Sequence, residues 1–144
     1  MNVFQLNYDI RLKNWYDLRA NIMSLDIETK CIEVDRWWQQ APLVNHHLHF
    51  LDSTSWPGPW ELLSENTYCT VARALGMCYT LLLIGVDDIQ LVEATDSQGE
   101  DMVIVLVDHA KYVLNYWPDS VLNNSSTEFT IKRHIDVSAI QLKL

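Results

Sequence analysis

Basic residues are scarce in this chain: ten lysines and arginines stand against nineteen aspartates and glutamates, for a net charge of −9 over 144 residues. A surface of that sign repels phosphate backbones, which are gripped by clustered cations that release counterions. Nucleic acid is therefore not an expected partner. Long hydrophobic runs are also missing. The longest, around Leu81 to Val86, is too short to span a bilayer, so no membrane partner is expected. The opening Met1-Asn2-Val3-Phe4-Gln5 lacks a basic lead and an apolar signal core, and nothing in it suggests secretion. The three cysteines, Cys31, Cys69 and Cys78, are odd in number and show no CxxC spacing. That excludes a disulfide framework and suits free thiols in a reducing compartment. Internal repeats and low-complexity tracts are absent.

What is present is enough for one domain, residues 1–144, able to bury about two-thirds of its unfolded surface. Hydrophobic residues reach 49% and charged residues 20%, a globular balance. The first part, 1–59, reads as a helical pair plus a loop. Leu12, Trp15, Leu18 and Ile22 recur at helical spacing between Asp9 and about Met23. A second helix is expected from Glu28 to Gln40, with Asp26 as N-cap and Pro42 beyond its end. The loop from Ala41 to about Pro59 carries Asn45-His46-His47-Leu48-His49 and Trp56-Pro57-Gly58-Pro59-Trp60. A loop that long carries function or is pinned by its own bulky side chains.

The second part, 60–144, reads as a helix and an antiparallel sheet. The helix is expected to begin near Thr67 and to stop at Gly85. Its apolar residues lie almost all round, so it should be central. Gly76 within it implies close approach of another element. Strands are expected at Ile89 to Ala94, Met102 to Val107 and Tyr112 to Tyr116, with a last one at Phe129 to Ile131 or Ile135 to Ile140. Helices first and a small antiparallel sheet after them make the fold class α+β.

Three groups of residues could carry chemistry. Cys69 falls in the first turn of the central helix if Thr67 caps it, where the helix terminus favours a thiolate. Cys31 and Cys78 read as structural. The His46-His47-x-His49 cluster has no second ligand pair at metal-binding spacing, so no metal or cofactor is expected, and the segment reads as a polar loop that could face a partner. Trp56, Trp60 and Trp117, with His47 and His49, form the candidate binding surface, since aromatics dominate interface hot spots. The competing reading of the tryptophans is a staple packing the loop onto the helices. Arg73, inside an apolar helix, is expected to meet a carboxylate such as Glu61 or Glu65.

The order of Cys69, a helix with Ala72 and Gly85, a strand pair, and then Tyr112-Val113-Leu114-Asn115 resembles the transglutaminase-like cysteine peptidase superfamily, related to the papain-like thiol enzymes. The resemblance covers roughly residues 60 to 120. It implies a triad with Cys69 as nucleophile, a histidine at the start of the second strand, and Asn115 as the acid or amide. The histidine position falls on Asp101, a carboxylate that would raise a neighbouring thiol's pKa. His109 lies in the turn at the far end of that strand, roughly 25 Å away along it, whereas a general base must sit within about 3 Å of its proton. Cys69, Asp101 and Asn115 thus read as degenerate triad positions. The phrases from Trp56 to Leu63 and from Tyr68 to Gly76 are similar to small proteins of tailed phages, which implies protein partners, other virion proteins among them, and a place in the virion or the host cytoplasm. The reading is a non-catalytic transglutaminase-like module acting through protein–protein contacts, as a phage virion component. The alternative is a cysteine hydrolase or acyl transferase with Cys69 as nucleophile and a non-standard base.

Overall fold

The computed structural model describes residues 2–44, 48–117, 120–123 and 128–144, and for Trp117 and 120–123 the description is of the backbone. After a short 3-10 turn at Val3–Gln5, the helices are α1 (Tyr8–Ile22), α2 (Ile27–Trp38), α3 (Pro59–Leu63) and α4 (Thr70–Leu83). The strands β1 (Ile89–Asp96), β2 (Asp101–Val107), β3 (Tyr112–Trp117), β4 (Ser120–Asn123) and β5 (Phe129–Asp136) follow, and α5 (Val137–Gln141) ends the chain. The sheet is antiparallel in the order β4-β3-β2-β1-β5. The continuous β-branched run of β2 therefore lies at its centre, as a strand buried on both faces should. None of the described helices is long and apolar enough to cross a membrane.

α4 is the central helix. Eleven of its residues are buried, from Val71 through Leu81, because its apolar side chains face both the other helices and the sheet. Gly76 shows why a glycine stands mid-helix: a Cβ there would lie 2.5 Å from three ring carbons of the fully buried Trp38. Gly76→Ala is accordingly expected to destabilise by about 2 kcal/mol, since overpacking outweighs the helix propensity alanine would add. Urea denaturation would read this, and a neutral or stabilising result would mean Trp38 moves aside at no penalty.

Three elements and one buried side chain are among the departures from expectation. α4 starts at Thr70, not near Thr67, because Tyr68 is held extended. It bridges Leu43, its N–H donating to Pro42 O at 3.0 Å and its carbonyl accepting from Val44 N at 2.8 Å. A short helix, α3, begins at Pro59, where proline suits a first helical position. The last strand is the whole of Phe129–Asp136, and the alternative at Ile135 to Ile140 fails because the chain turns into α5 after Asp136. Arg73 meets no carboxylate of Glu61 or Glu65. Its guanidinium donates to Gln39 Oε1 at 2.9 Å and to the Gln39 and Ala41 carbonyls at the end of α2.

Candidate functional site

The sheet turns one face to the helices. Val103, Val105 and Val107 of β2 join the core shared with α4, while Ile104 and Leu106 join a second apolar cluster on the other face. By strand alternation Asp101 shares the helix side with Val103. On β1, Ile89 and Leu91 face the helices, so Glu93, paired with Val103 in the register, does too. At this corner, beside the first turn of α4, lies a cleft of about 320 Å³ lined by Thr70, Glu93, Asp101, Met102 and Val103. Asp101 is exposed and pairs with Lys132 at 3.2 Å. Glu93 is bound by Arg133 at 2.6 Å.

Cys69 does not line this cleft. It is the residue before the first turn of α4, its side chain caps no N–H, and it is 1% exposed within the core. Thr70 takes the exposed position at the mouth. The one visible sign in the sequence is that Thr67 and Thr70 compete for the helix start. A threonine hydroxyl needs an adjacent base to become a nucleophile, and the residues lining this cleft include no histidine.

Asn115 arrives at the expected corner but is otherwise engaged. Its amide nitrogen donates to Val103 O at 2.9 Å and to Thr70 O at 3.3 Å, tying β2 to the start of α4. Its backbone is left-handed, φ 63°, a conformation asparagine tolerates better than most residues. The conformation is held by Asp35, a buried carboxylate on α2 whose Oδ1 accepts from Asn115 N at 2.8 Å. With its two N–H bonds spent on backbone carbonyls, this side chain serves as a clamp.

The remaining predicted positions are scattered. Trp56 is buried at 3% exposure, its indole donating to His49 O at 2.9 Å, which is the staple reading. Trp60 is half exposed and packs edge-on against Trp15 on α1. His49 is exposed. His47, His46, Asn45 and the Trp117 side chain lie outside the described residues. His109 sits at the far turn with Asp88, its backbone N–H donating to Asp88 Oδ2 at 2.8 Å, and His134 is 3.9 Å from Asp136 on β5. Cys31 and Cys78 are buried free thiols; burial pushes Cys31 up to about 12 and raises Cys78 as well.

No family model matches the sequence, and no curated protein does. Among solved structures, Legionella pneumophila LapG superposes with a TM-score of 0.72 at 13% identity, over 93% of this chain and 80% of LapG. Its EGTA-treated form gives 0.72 at 13% identity, over 93% of this chain and 77% of that one. Its calcium-bound form gives 0.70 at 13% identity, over 85% and 72%. The fold is transglutaminase-like. Among the described residues, Asp88, Asp108 and His109 are the side chains whose donor atoms converge closely enough for a cation, within 4.8 Å of one another. Two carboxylates and an imidazole fall short of the six to eight oxygens calcium takes. Asp108 and His109 lie in the β2–β3 turn and Asp88 just before β1, away from the residues that line the cleft.

Proposed function

We propose that this protein is a non-catalytic transglutaminase-like module that acts through protein–protein contacts. The observation that carries the reading is the placement of the thiol: Cys69 is enclosed in the core while Thr70 stands at the cleft beside Asp101 and Val103. An active thiol enzyme needs the sulfur exposed to substrate and a base within hydrogen-bond reach. The cleft offers neither, and its carboxylates are engaged by Arg133 and Lys132. The sequence phrases similar to tailed-phage proteins support a virion or host-cytoplasmic setting, with other virion proteins as the partners.

A thiol probe separates this reading from a cysteine hydrolase. With Ellman's reagent at pH 7.5 the native protein is expected to show almost no reaction over minutes, while all three thiols react in guanidinium. Thr70→Cys is expected to add one fast-reacting thiol, because that position opens on the cleft. Rapid native labelling that disappears in Cys69→Ala would overturn the proposal and favour the hydrolase.

A further inference from the structure

α1 and α3 together build an aromatic surface that the cleft does not involve. Trp15 is its floor, fully buried. Trp60 stands edge-on to it, ring centroids 5.4 Å apart, and the Tyr8 hydroxyl donates to Trp60 O at 3.2 Å. Tyr16 and Trp60 remain 61% and 50% exposed, with Tyr8 beside them at 38%. In their midst lies Arg19, its guanidinium carbon 4.2 Å from the Trp15 ring, 5.7 Å from Tyr16 and 5.9 Å from Trp60. Exposed aromatics scattered singly are ordinary on a monomer. Tryptophan, tyrosine and arginine gathered on one patch have the composition of an interface hot spot.

The charge of Arg19 gives the surface its direction. Its Nε is buried without a hydrogen-bond acceptor, and among the described residues no carboxylate pairs with it. The other described arginines are all engaged: Arg11 and Arg73 on carbonyls or an amide oxygen, Arg36 on Glu33, Arg133 on Glu93. Arg11 and Arg73 also lack a paired acid but spend their Nη donors on backbone carbonyls; Arg19 stands apart because, among the described residues, neither a carboxylate nor a carbonyl accepts from it. With Nε buried and the guanidinium carbon held 4.2 Å from the Trp15 ring, the two Nη groups are the donors left for a planar two-point carboxylate contact.

We propose that the Tyr8, Tyr16, Arg19 and Trp60 surface docks a protein segment presenting an aspartate or glutamate beside an apolar side chain. The carboxylate is taken by the Arg19 edge and the apolar neighbour by the Trp60 and Tyr16 rings. This inference rests on the binding-module reading and names the partner's chemistry. A nucleic acid strand fits poorly, since one guanidinium offers a single phosphate contact where a strand is gripped by several clustered cations.

The test is selection from a displayed library of random 12-residue peptides on the full chain. Selected peptides are expected to share an acidic residue next to an apolar one. Their affinity should fall about tenfold or more with Arg19→Gln, with Trp60→Ala, and with glutamine in place of the peptide's acid. Arg19→Lys keeps the cation on the ring without the fork and should weaken binding while the melting temperature stays near wild type. An empty selection, peptides without a shared acid, or peptides that bind Arg19→Gln as well would overturn the proposal. So would self-association lost in Arg19→Gln, which would make the occupant a second copy, or tight binding of a dT12 oligonucleotide through the same residues. Cys69 labelling is indifferent to these substitutions. An inert Cys69 with a failed selection removes this docking site alone, whereas a reactive Cys69 removes the non-catalytic reading.

Discussion

Thr80→Val is expected to lower stability by about 4 kcal/mol and the melting temperature by about 10 °C. Thr80 is completely buried on α4. Its Oγ1 accepts the indole N–H of Trp15 on α1 and that of Trp38 on α2, each at 2.9 Å, and its own proton goes to Gly76 O at 2.7 Å. A hydroxyl has one donor and two acceptor sites, so every site is used, and three helices meet on one oxygen. Valine keeps the shape and removes the acceptor. Two buried indole donors are then orphaned at roughly 1–3 kcal/mol each. Serine retains the hydroxyl, so Thr80→Ser should recover most of the loss, apart from a missing methyl. Urea denaturation with near-ultraviolet circular dichroism would report both the stability and the two indoles. A valine variant within 1 kcal/mol of wild type would show that the indoles find other acceptors.

This hydroxyl illustrates what the sequence shows and what it withholds. The all-round apolar pattern of α4, the β-branched run of β2 and Gly85 at the helix end are local signals, and each appears where its period or punctuation puts it. Gly76 signalled a close neighbour without naming Trp38. What escapes are the features settled by partners distant in the chain. The start of α4 depends on Tyr68 pairing with the segment around Leu43, a contact no local propensity reports. Its consequence is large, because one residue of helix turns a side chain by about 100°. That rotation separates an exposed Thr70 from a buried Cys69. Asn115 was singled out through the resemblance, as the position of the acid or amide, and it lies within β3 (Tyr112–Trp117). Its left-handed backbone and its bonds to Asp35, Val103 and Thr70 were not legible, because they join α2, β2 and α4. The same holds for the buried charges Arg11 and Asp35: a charged residue in an amphipathic pattern reads as solvated until its partners are in place.

Arg11 is the case with the largest consequence. It is 3% exposed on α1, and no carboxylate among the described residues pairs with it. Its Nη1 donates to the carbonyls of Leu63 and Glu65, both at 2.7 Å, and Nη2 to those of Phe4 at 2.8 Å and Leu6 at 3.1 Å. One guanidinium thereby joins the N-terminal turn to the connection between α3 and α4. Through Phe4, whose ring meets Trp37 and Tyr68 edge-on at 5.1 Å, it also steadies the aromatic core. Arg11→Leu removes a buried charge, which by itself is favourable. It also strips charge-assisted bonds from four carbonyls, two of them in fully buried pairings at roughly 1–3 kcal/mol each when unmet. The carbonyls outweigh the charge, and a net loss of about 4 kcal/mol is expected. Arg11→Lys should recover only part of it, since an ammonium has three donors and no planar fork to span two chain segments. Hydrogen exchange adds a local signature: protection should fall first at Phe4 to Leu6, ahead of α4. A leucine variant as stable as wild type, with that segment still protected, would mean the four carbonyls are met by water and that packing alone holds the N-terminal turn.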